Sequence, residues 1–553
     1  RAGMFRALAP DGSPVEGFVF DGRTARWTGA GPVDAGIRYE LELDGEPDWL
    51  VPGVFYRENR PAACTRIYPR FAPHLDLERM ESPRWSFRAD RCATPAVLCG
   101  RDGLATTELS PLGQAGVGFE LRDGRPVVWL DFPYREEPLR YDGSNVPAPP
   151  DVQTYRWHPG EQVELDVREV TREDLRPREP FVDPGWVSVE QAAELAAWGL
   201  YRWHYKPDPP RLMETAAFDR DAFGSRGDRD NMHVSWVSGA PYAYALLRHG
   251  RRVGNDDYVR AAESVLDHIA ASLTPGGTYW AQWTAERGWT TGWHPDRSRL
   301  HARTLADATL FMLRAGGRWA DSARSNVAVA VRTQRDDGAL PAAHHVETGG
   351  AVSWEGTAGL AWVPALVEAG ELDAARRAGA YYARFDTWYG APEDVDLAPT
   401  SEDGYAALMA FVALEDWENA RRASDWLLTF RYTYDVAFSE QTLLGRYGFR
   451  TRGADQASPA NQHLHAFGLI CVPEMLRLAE ASGEDWYRQT TVENLACFRQ
   501  FIAREDGDFD AYRGMASERY YQTDCFQAKG MLLTLSHAWS VGVLLLGCEE
   551  LLT

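Results

Sequence analysis

The period of the hydrophobic pattern changes about a third of the way along the chain of 553 residues. Up to about residue 170, apolar and polar residues alternate over short runs such as 37–43 and 163–167. This period of two is typical of half-buried strands. Turn-forming pairs of Asp and Gly separate the runs, and no long helical pattern interrupts them. We therefore predict an N-terminal antiparallel β-sandwich domain over residues 1–170.

A proline-rich, charged stretch at 175–184 follows, and we place a stiff linker at 171–186. From residue 187 the apolar spacing becomes helical, and the helical segments repeat in pairs. The second member of each pair is rich in apolar and small residues, so we predict that it is buried. Outer helices are predicted to begin near Ser188, Asp256, Ala320, Glu371, Asp416 and Asp485. Inner helices are predicted over 234–248, 303–314, 354–368, 402–414, 461–479 and 529–552.

The connections between these helices alternate in length. Connections from inner to outer helices are short, whereas each connection from an outer to an inner helix is long. Long connections inside a compact domain are uncommon unless they are functional. Six of them on one side of a repeated hairpin would form a rim over the inner helices. We therefore predict that residues 187–553 form six helical hairpins closed into an (α/α)6 toroid, with a bowl at one end.

Charge and composition narrow the class of partner. The formal net charge is −22, which disfavours nucleic acid or an anionic membrane surface, because both need a basic field. No stretch of about 18 uncharged apolar residues is present, so no transmembrane helix is predicted. The chain contains 21 Trp, 23 Tyr and 22 Phe. Aromatic rings at this density form cores, but their flat apolar faces also suit sugar rings.

The long connections carry most of the unusual aromatic, histidine and acidic residues. Tryptophans concentrate in 280–293, which favours a carbohydrate cleft, with a packed lid as the alternative. The fourth connection carries Glu393, Asp394 and Asp396. The candidate sugar-binding side chains are Trp236, Trp283, Trp293, His294, Trp354, Asn461, His463 and Tyr520.

Three short motifs in these connections resemble glucoamylases and glucodextranases, within the six-hairpin glycosidases. Arg229-Asp230 is similar to the pair that holds the hydroxyls of the terminal sugar in that family. Trp354-Glu355 resembles the general-acid motif, although one glutamate follows the tryptophan where two are usual. Ser517-Glu518, with the later 535–540, resembles the general-base motif and the final helix. A β-sandwich before the barrel is a bacterial arrangement in this group.

The resemblance implies a glycoside hydrolase with two carboxyl groups. One carboxyl group protonates the leaving oxygen, and the other activates water or attacks directly. It implies Glu355 as the general acid and Glu518 as the general base, on the third and sixth hairpins, which face each other across a six-fold ring. Glu347 and Asp524 are the substitutes for the acid and the base. We expect an inverting, exo-acting enzyme that degrades an oligosaccharide or polysaccharide.

Each of these residues also has a structural interpretation. Glu355 fits the first turn of a helix, where acids are common. Glu518 fits a salt bridge to Arg519 or Arg513, and Asp230 fits a local pair with its neighbouring arginine.

Other functions remain open. A polysaccharide lyase would use Asn461, His463, Tyr520 and Tyr521 to neutralise a uronate and move protons. A sugar epimerase or isomerase on the same toroid would use pairs of histidines, and a glycan-binding protein would need the aromatic rings alone. We expect no metal, because the spacings of the histidine pairs do not converge on one point, and no nucleotide cofactor, because no phosphate-binding glycine motif is present. The oligomeric state, the sugar and the cytoplasmic or secreted compartment are not decided by the sequence.

Overall fold

The computed structural model describes residues 3–56, 84–140, 148–220, 227–385, 388, 399–459, 461–525 and 527–553. The acidic residues Glu393, Asp394 and Asp396 of the fourth long connection lie outside the described residues.

The N-terminal third consists of short strands. They are β1 (Met4–Leu8), β2 (Phe18–Asp21), β3 (Thr24–Trp27), β4 (Val33–Glu42), β5 (Trp49–Val51), β6 (Phe55–Tyr56), β7 (Arg84–Arg88), β8 (Ala96–Cys99), β9 (Asp102–Ala105), β10 (Leu109–Ser110), β11 (Gly113–Gln114), β12 (Gly116–Arg122), β13 (Arg125–Phe132), β14 (Arg135–Glu136), β15 (Asp151–Val152), β16 (Tyr155–Trp157), β17 (Gln162–Glu164) and β18 (Arg168–Thr171).

Two antiparallel sheets share the core of this part. One has the order β1-β4-β13-β12-β7, with β16 paired to β4, and the other has the order β18-β9-β8-β5-β6. Strand β13 contacts β8 and β9, and buried Trp49, Phe87, Phe119 and Leu130 from both sheets lie in one hydrophobic cluster. The predicted antiparallel sheets are therefore observed. Their classification as a sandwich and the domain boundary at residue 170 stay predictions.

The rest of the chain is dominated by helices. The described α-helices of more than four residues are α1 (Val189–Gly199), α2 (Ala240–Val253), α3 (Asp256–Ala270), α4 (Ala302–Ala315), α5 (Gly317–Arg332), α6 (Trp362–Glu368), α7 (Leu372–Tyr382), α8 (Ser401–Ala413), α9 (Trp417–Leu428), α10 (Val472–Ser482), α11 (Asp485–Phe498) and α12 (Ala538–Leu552).

These helices form a closed ring of hairpins. The inner helices α2, α4, α6, α8, α10 and α12 each contact the next, and α12 contacts α2. The outer helices α3, α5, α7, α9 and α11 pack on the inner helices that precede them, and α1 packs on α12. Helix α12 is buried along almost its whole length, as expected for an inner helix that is apolar on most faces. The helical part thus has the predicted six hairpins.

The long connections contain strands of their own. They are β19 (Tyr205–Pro207), β20 (Pro210–Leu212), β21 (Thr215–Ala217), β22 (Asn231–His233), β23 (Gln282–Thr284), β24 (Gly288–Thr290), β25 (Arg299–His301), β26 (Ala343–His345), β27 (Ala351–Ser353), β28 (Asp455–Ser458), β29 (Asn461–His465) and β30 (Leu535–His537). Strands β25 and β30 lead directly into inner helices α4 and α12. The rim over the inner helices is therefore built from short hairpins.

These strands delay the start of some inner helices. The prediction that an inner helix begins at Trp354 is wrong, because β27 pairs with β26 up to Ser353 and a 3-10 turn at Ala358–Ala361 precedes α6. Between them Gly356 adopts a φ of 69°, a left-handed conformation that interrupts helical geometry. Trp354 and Glu355 consequently lie in the approach to the helix and not in its first turn.

Ion pairs with a buried partner in the strand-rich part join that part to the last long connection of the helical part. Arg91 is fully buried, and its guanidinium contacts Glu136 at 2.6 Å and Asp524 at 2.7 Å. Lys529 contacts Asp90 at 2.9 Å across the same contact region. Asp524, the substitute general base in the sequence analysis, therefore takes part in holding the two parts together.

Candidate active site

Glu518 lies in the last long connection, between two strands that precede inner helices. Its segment bridges β29 through Leu464 and Tyr520, and it bridges β30 through Ser517 and Ser536. The side chain is buried, with 8% of the residue exposed. Its carboxylate lies 3.3 Å from the Arg519 guanidinium and 3.9 Å from that of Arg229. Glu518 thus has two positively charged neighbours, which offset the cost of burying its negative charge.

The charges around Glu518 decide its ionisation. Burial alone would raise the pKa of this carboxyl, because it disfavours the charged form. The positive charges of Arg519, His537 and Arg229 outweigh that effect and hold the pKa below the ordinary value of 4.5. Glu518 is therefore ionised at neutral pH, as a group that accepts a proton must be.

A second buried carboxylate, Glu214, shares the Arg229 guanidinium. Arg229 Nη1 lies 2.9 Å from Glu214 Oε1, while Nη2 faces Glu518. Because one guanidinium joins them, the two carboxylates are no farther apart than the span that inverting glycosidases use, roughly 6.5–9.5 Å. His537 Nδ1 accepts a hydrogen bond from the Trp539 backbone, and its Nε2 lies 3.7 Å from Glu214. We call Glu214, Arg229, Glu518, Arg519 and His537 the Glu518 cluster.

Arg229 and Asp230 contact different partners although they are neighbours in sequence. Arg211 binds the Asp230 carboxylate through two hydrogen bonds of 2.7 Å, and the Arg211 guanidinium also lies 4.7 Å from the Trp283 ring. Successive side chains of an extended chain point in opposite directions, which explains the divergence. The structure therefore brings Arg229 to the Glu518 cluster and places Asp230 and Trp283 beside Arg211.

Aromatic rings lie next to the Glu518 cluster. The Trp539 ring is 5.0 Å from His537 and 5.4 Å from Trp236, measured between centroids. Trp293 is 6.2 Å from Trp236 and stacks on His233 at 5.0 Å. Trp236 is buried, whereas Trp293 is 42% exposed. Trp293 is thus a partly exposed ring that is connected to His537 through Trp236 and Trp539.

A buried arginine on α4 packs against two of the aromatic rings in this region. The Arg303 guanidinium lies 4.3 Å from the Trp236 ring and 4.8 Å from the Phe467 ring. It also forms ion pairs with Glu402, at the start of α8, and with Asp307. The ion pairs hold the Arg303 guanidinium in place, and its cation–π contacts stabilise the positions of the two rings.

Two neutral histidines complete the surroundings. Burial lowers the pKa of His463 well below its ordinary value and also lowers that of His465. His463 Nδ1 lies 2.9 Å from Asn461 Oδ1, and His465 Nε2 lies 3.2 Å from Ser401 Oγ. Within the described part of the chain, His463 Nε2 and His465 Nδ1 have no hydrogen-bond partner. Each ring therefore has one buried nitrogen that is unpaired within the described residues.

The remaining predicted residues lie farther from these charges or have structural contacts. Tyr520 is buried, donates a hydrogen bond to the Phe501 carbonyl at 2.6 Å and stacks on Phe449. His294 lies 5.1 Å from His301. Neither residue is in direct contact with Glu518 among the interactions described.

The predicted general acid and its substitute are exposed. Glu355 accepts no described ion pair, and its backbone N–H bonds Ser353 Oγ at 3.1 Å. The neighbouring Trp354 donates to the Thr333 carbonyl at 3.0 Å, on the side of outer helix α5. Glu347 is exposed as well. The described contacts of these residues do not reach the Glu518 cluster.

Glu214, Arg303 and Glu402 were not recognised in the sequence as site residues. A sequence signal nevertheless exists for this region, because a buried histidine ends each of four short strands on the rim. These are His233, His301, His465 and His537.

Among the described residues, no group of three His, Cys, Asp or Glu side chains is arranged to hold a metal ion. In the same part of the chain, no helix combines the length and apolar character needed to cross a membrane.

Comparison with known proteins found matches among solved structures only. No family model matches the chain, and no curated protein matches it. A D-mannose isomerase structure is similar with a TM-score of 0.45 and 12% identity, covering 67% of this chain and 99% of that chain. A polysaccharide lyase is similar with a TM-score of 0.46 and 10% identity, covering 98% and 92%. A GH76 alpha-mannanase of Bacteroides thetaiotaomicron has a TM-score of 0.43 and 10% identity, covering 67% and 97%. At these values the likenesses do not assign an activity to this chain.

Proposed function

We propose that this protein is a carbohydrate-active enzyme, a glycoside hydrolase, whose active site is the Glu518 cluster with its aromatic rings. One observation carries the proposal: Glu518 is buried and ionised, and Arg229 joins it to a second buried carboxylate, Glu214. Two carboxyl groups are what hydrolysis of a glycosidic bond requires. The partly exposed ring of Trp293, which packs on Trp236, suits the apolar face of a sugar ring.

Glu518 acts as the general base in this proposal. An ionised carboxylate accepts a proton from water, and the resulting hydroxide attacks the sugar carbon. Arg229 and Arg519 keep Glu518 charged before the reaction. The motif resemblance implies that a water is activated in this way, so we propose an inverting reaction. Exo action is proposed because a bowl closed at one end, as predicted over the inner helices, would take one chain end.

The general acid has two candidates, one from the motif resemblance and one from the geometry. Glu355 follows the tryptophan that resembles the acid motif, whereas Glu214 shares Arg229 with the proposed base. Turnover of Glu355→Gln and Glu214→Gln on a panel of nitrophenyl glycosides and oligosaccharides decides between them. The variant that lacks the acid loses turnover on oligosaccharides and recovers part of it on nitrophenyl substrates, whose leaving group needs no protonation. NMR of the first-formed anomer tests the inverting outcome.

The histidines favour one second candidate, an enzyme that removes a proton from carbon, such as a sugar epimerase, isomerase or polysaccharide lyase. His463 and His465 are neutral, which is the form in which an imidazole can accept a proton, and within the described residues each has one ring nitrogen without a hydrogen-bond partner. Incubation with monosaccharides in D2O distinguishes this chemistry, because only proton abstraction introduces deuterium at carbon. A product that absorbs as an unsaturated uronate would identify a lyase.

A further inference from the structure

Glu518 lies on a hairpin whose tip contacts the strand-rich part of the chain. Bridges between residues 517 and 536 and between residues 520 and 532 fold this segment back on itself. We call it the 517–536 hairpin. Glu518 lies near its base, whereas Asp524 and Lys529 lie near its tip. Contacts at the tip therefore act on the same segment that positions the Glu518 carboxylate.

The described polar contacts between the hairpin tip and the strand-rich part are ion pairs. Asp524 lies 3.1 Å from the Arg88 guanidinium and 2.7 Å from that of Arg91. Lys529 Nζ lies 2.9 Å from Asp90. Such contacts depend on the charge of every member, because the charges are taken partly or wholly out of water.

The preceding long connection contacts the strand-rich part through neutral groups instead. The Thr433 N–H donates to the Ala93 carbonyl at 3.0 Å, and the Tyr434 hydroxyl donates to the Cys92 carbonyl at 3.0 Å. Burial raises the pKa of Tyr432 and Tyr434 well above the ordinary value of 10, so both hydroxyls stay protonated. These contacts are therefore insensitive to pH near neutrality.

Among the described residues, ion pairs of at most 3.8 Å link four acids and three bases at the hairpin tip. The acids are Asp90, Glu108, Glu136 and Asp524. The bases are Arg88, Arg91 and Lys529. With all of these groups charged, the contact carries one uncompensated negative charge, and burial of an unpaired charge is costly. Protonation of one acid makes the contact neutral.

Glu108 has the longest ion pair of these acids. Its carboxylate lies 3.8 Å from Lys529 Nζ, which is nearer to Asp90. Burial raises the pKa of the Glu108 carboxyl to about 7. The charge of Lys529 opposes this effect, and that of Asp90 adds to it. The Ala437 backbone N–H and the charge of Arg88 make smaller opposing contributions. Glu108 therefore exchanges its proton near neutral pH.

A cavity gives the Glu108 carboxyl a route to water. The cavity has a volume of about 650 Å³ and lies between the strand-rich part, residues 174–180 and the fifth long connection. Two ion pairs lie on its other walls, Arg168 with Asp166 at 3.2 Å and Arg450 with Asp435 at 2.7 Å. A proton can thus leave Glu108 without prior separation of the two parts.

We propose that Glu108 makes the contact between the strand-rich part and the 517–536 hairpin sensitive to pH: the contact holds while its carboxyl is protonated and opens more readily once it is ionised. The stability that Glu108 contributes is fully present below the unfolded pKa of about 4.5 and is lost as pH rises through the folded pKa of about 7. Because the hairpin also carries Glu518, pH sets how firmly that residue is held. This inference does not depend on the reaction that Glu518 catalyses.

Hydrogen–deuterium exchange followed by mass spectrometry tests the proposal apart from catalysis. Protection of residues 517–536 is measured from pH 5 to pH 8, with rates corrected for the intrinsic pH dependence of exchange. Protection in the wild type should fall by roughly tenfold or more and level off above about pH 7. Glu108→Gln keeps a neutral side chain at every pH, so its hairpin should retain the protection seen at low pH. Glu164→Gln, at an exposed position of β17, is the matched control and should follow the wild type.

Three results would overturn the proposal. Protection in the wild type that is independent of pH would show that ionisation of Glu108 is not coupled to the contact, and this result needs no variant to fold. An equal fall of protection in Glu108→Gln and the wild type would assign the pH dependence to another group. An equal fall at residues 432–437, where neutral hydrogen bonds form the contact, would indicate a general loosening of the protein.

Discussion

Replacement of Glu518 by glutamine is the sharpest perturbation of the proposed site. Glutamine keeps the volume of the side chain but removes the negative charge and the ability to accept a proton. Because Glu518 is only 8% exposed, the substitution acts on a defined set of neighbours: the Arg519 guanidinium at 3.3 Å and that of Arg229 at 3.9 Å.

The structure separates the expected effects on rate and on stability. Loss of a general base costs about 10²–10⁴-fold in rate, which is about 3–5 kcal/mol of transition-state stabilisation. The stability cost is smaller, about 1.5–3 kcal/mol for hydrogen bonds to a charged group, because Arg229 retains its contact with Glu214. The folded variant should therefore remain while turnover falls.

The assay compares initial rates of sugar release from the glycoside and oligosaccharide panel for wild type and Glu518→Gln. Thermal unfolding of each protein, followed by circular dichroism, confirms that the variant is folded. Replacement of Glu440, an exposed residue of the preceding long connection, by glutamine is the matched control. A folded Glu518→Gln protein with turnover within a few-fold of wild type would refute the role of Glu518 as base.

The pH profile provides a second readout of the same residue. The folded pKa of Glu518 is lowered, so its carboxylate is lost only as pH falls below the ordinary value of 4.5, and activity should persist to that limit. The stability that it contributes is likewise present above the unfolded pKa and lost as pH falls through the folded pKa. Arg519→Leu should move the acidic limb of kcat/KM upward, because burial then opposes ionisation with fewer positive charges nearby. Arg513→Leu, whose partner is Glu194 on the surface, should leave the limb in place. An unchanged limb in Arg519→Leu would contradict this assignment.

Three further outcomes are expected. Arg91→Ala should lower the free energy of unfolding by about 3–5 kcal/mol in urea titration, because it leaves the buried Glu136 carboxylate unpaired, whereas Arg125→Ala in an exposed pair should cost at most about 1 kcal/mol. Trp293→Ala should raise KM roughly two- to tenfold with kcat nearly unchanged, and Trp283→Ala should have the smaller effect; the reverse order would reject the stacking role. His463→Asn should keep most of the hydrolytic activity. Loss of deuterium incorporation at carbon in this variant, with hydrolysis unchanged, would instead indicate that His463 takes part in proton abstraction.

Local patterns were sufficient to predict the helical part. The outer helices begin within three residues of the predicted positions, as at Asp256 and Asp485, because caps and polar faces are encoded locally. Inner-helix starts were less predictable. Trp354 and residue 529 were placed in helices. Trp354 instead directly follows strand β27, and the chain after residue 529 forms strand β30 before α12 begins. Strand pairing between distant segments leaves little signal in a local window.

The candidate site was predicted in part. Arg229 and Glu518 were identified from short motifs, and the structure brings them together. Glu214 was not recognised, because a single glutamate after a short strand is not distinguishable from any other acid. Asp230 was grouped with Arg229, yet the alternation of an extended chain sends it to Arg211.

The sequence by itself determined the change from strands to paired helices, and with it the long connections that carry the tryptophan-rich segment 280–293. Periodicity is a property of neighbouring residues, so it is readable without coordinates. Only the tertiary structure decided which charges meet. The ionisation of Glu518 depends on Arg229, almost three hundred positions earlier in the chain, and on His537 from the final hairpin. Such long-range electrostatic contacts exist only once the ring has closed, because burial and proximity together set the charge of the group.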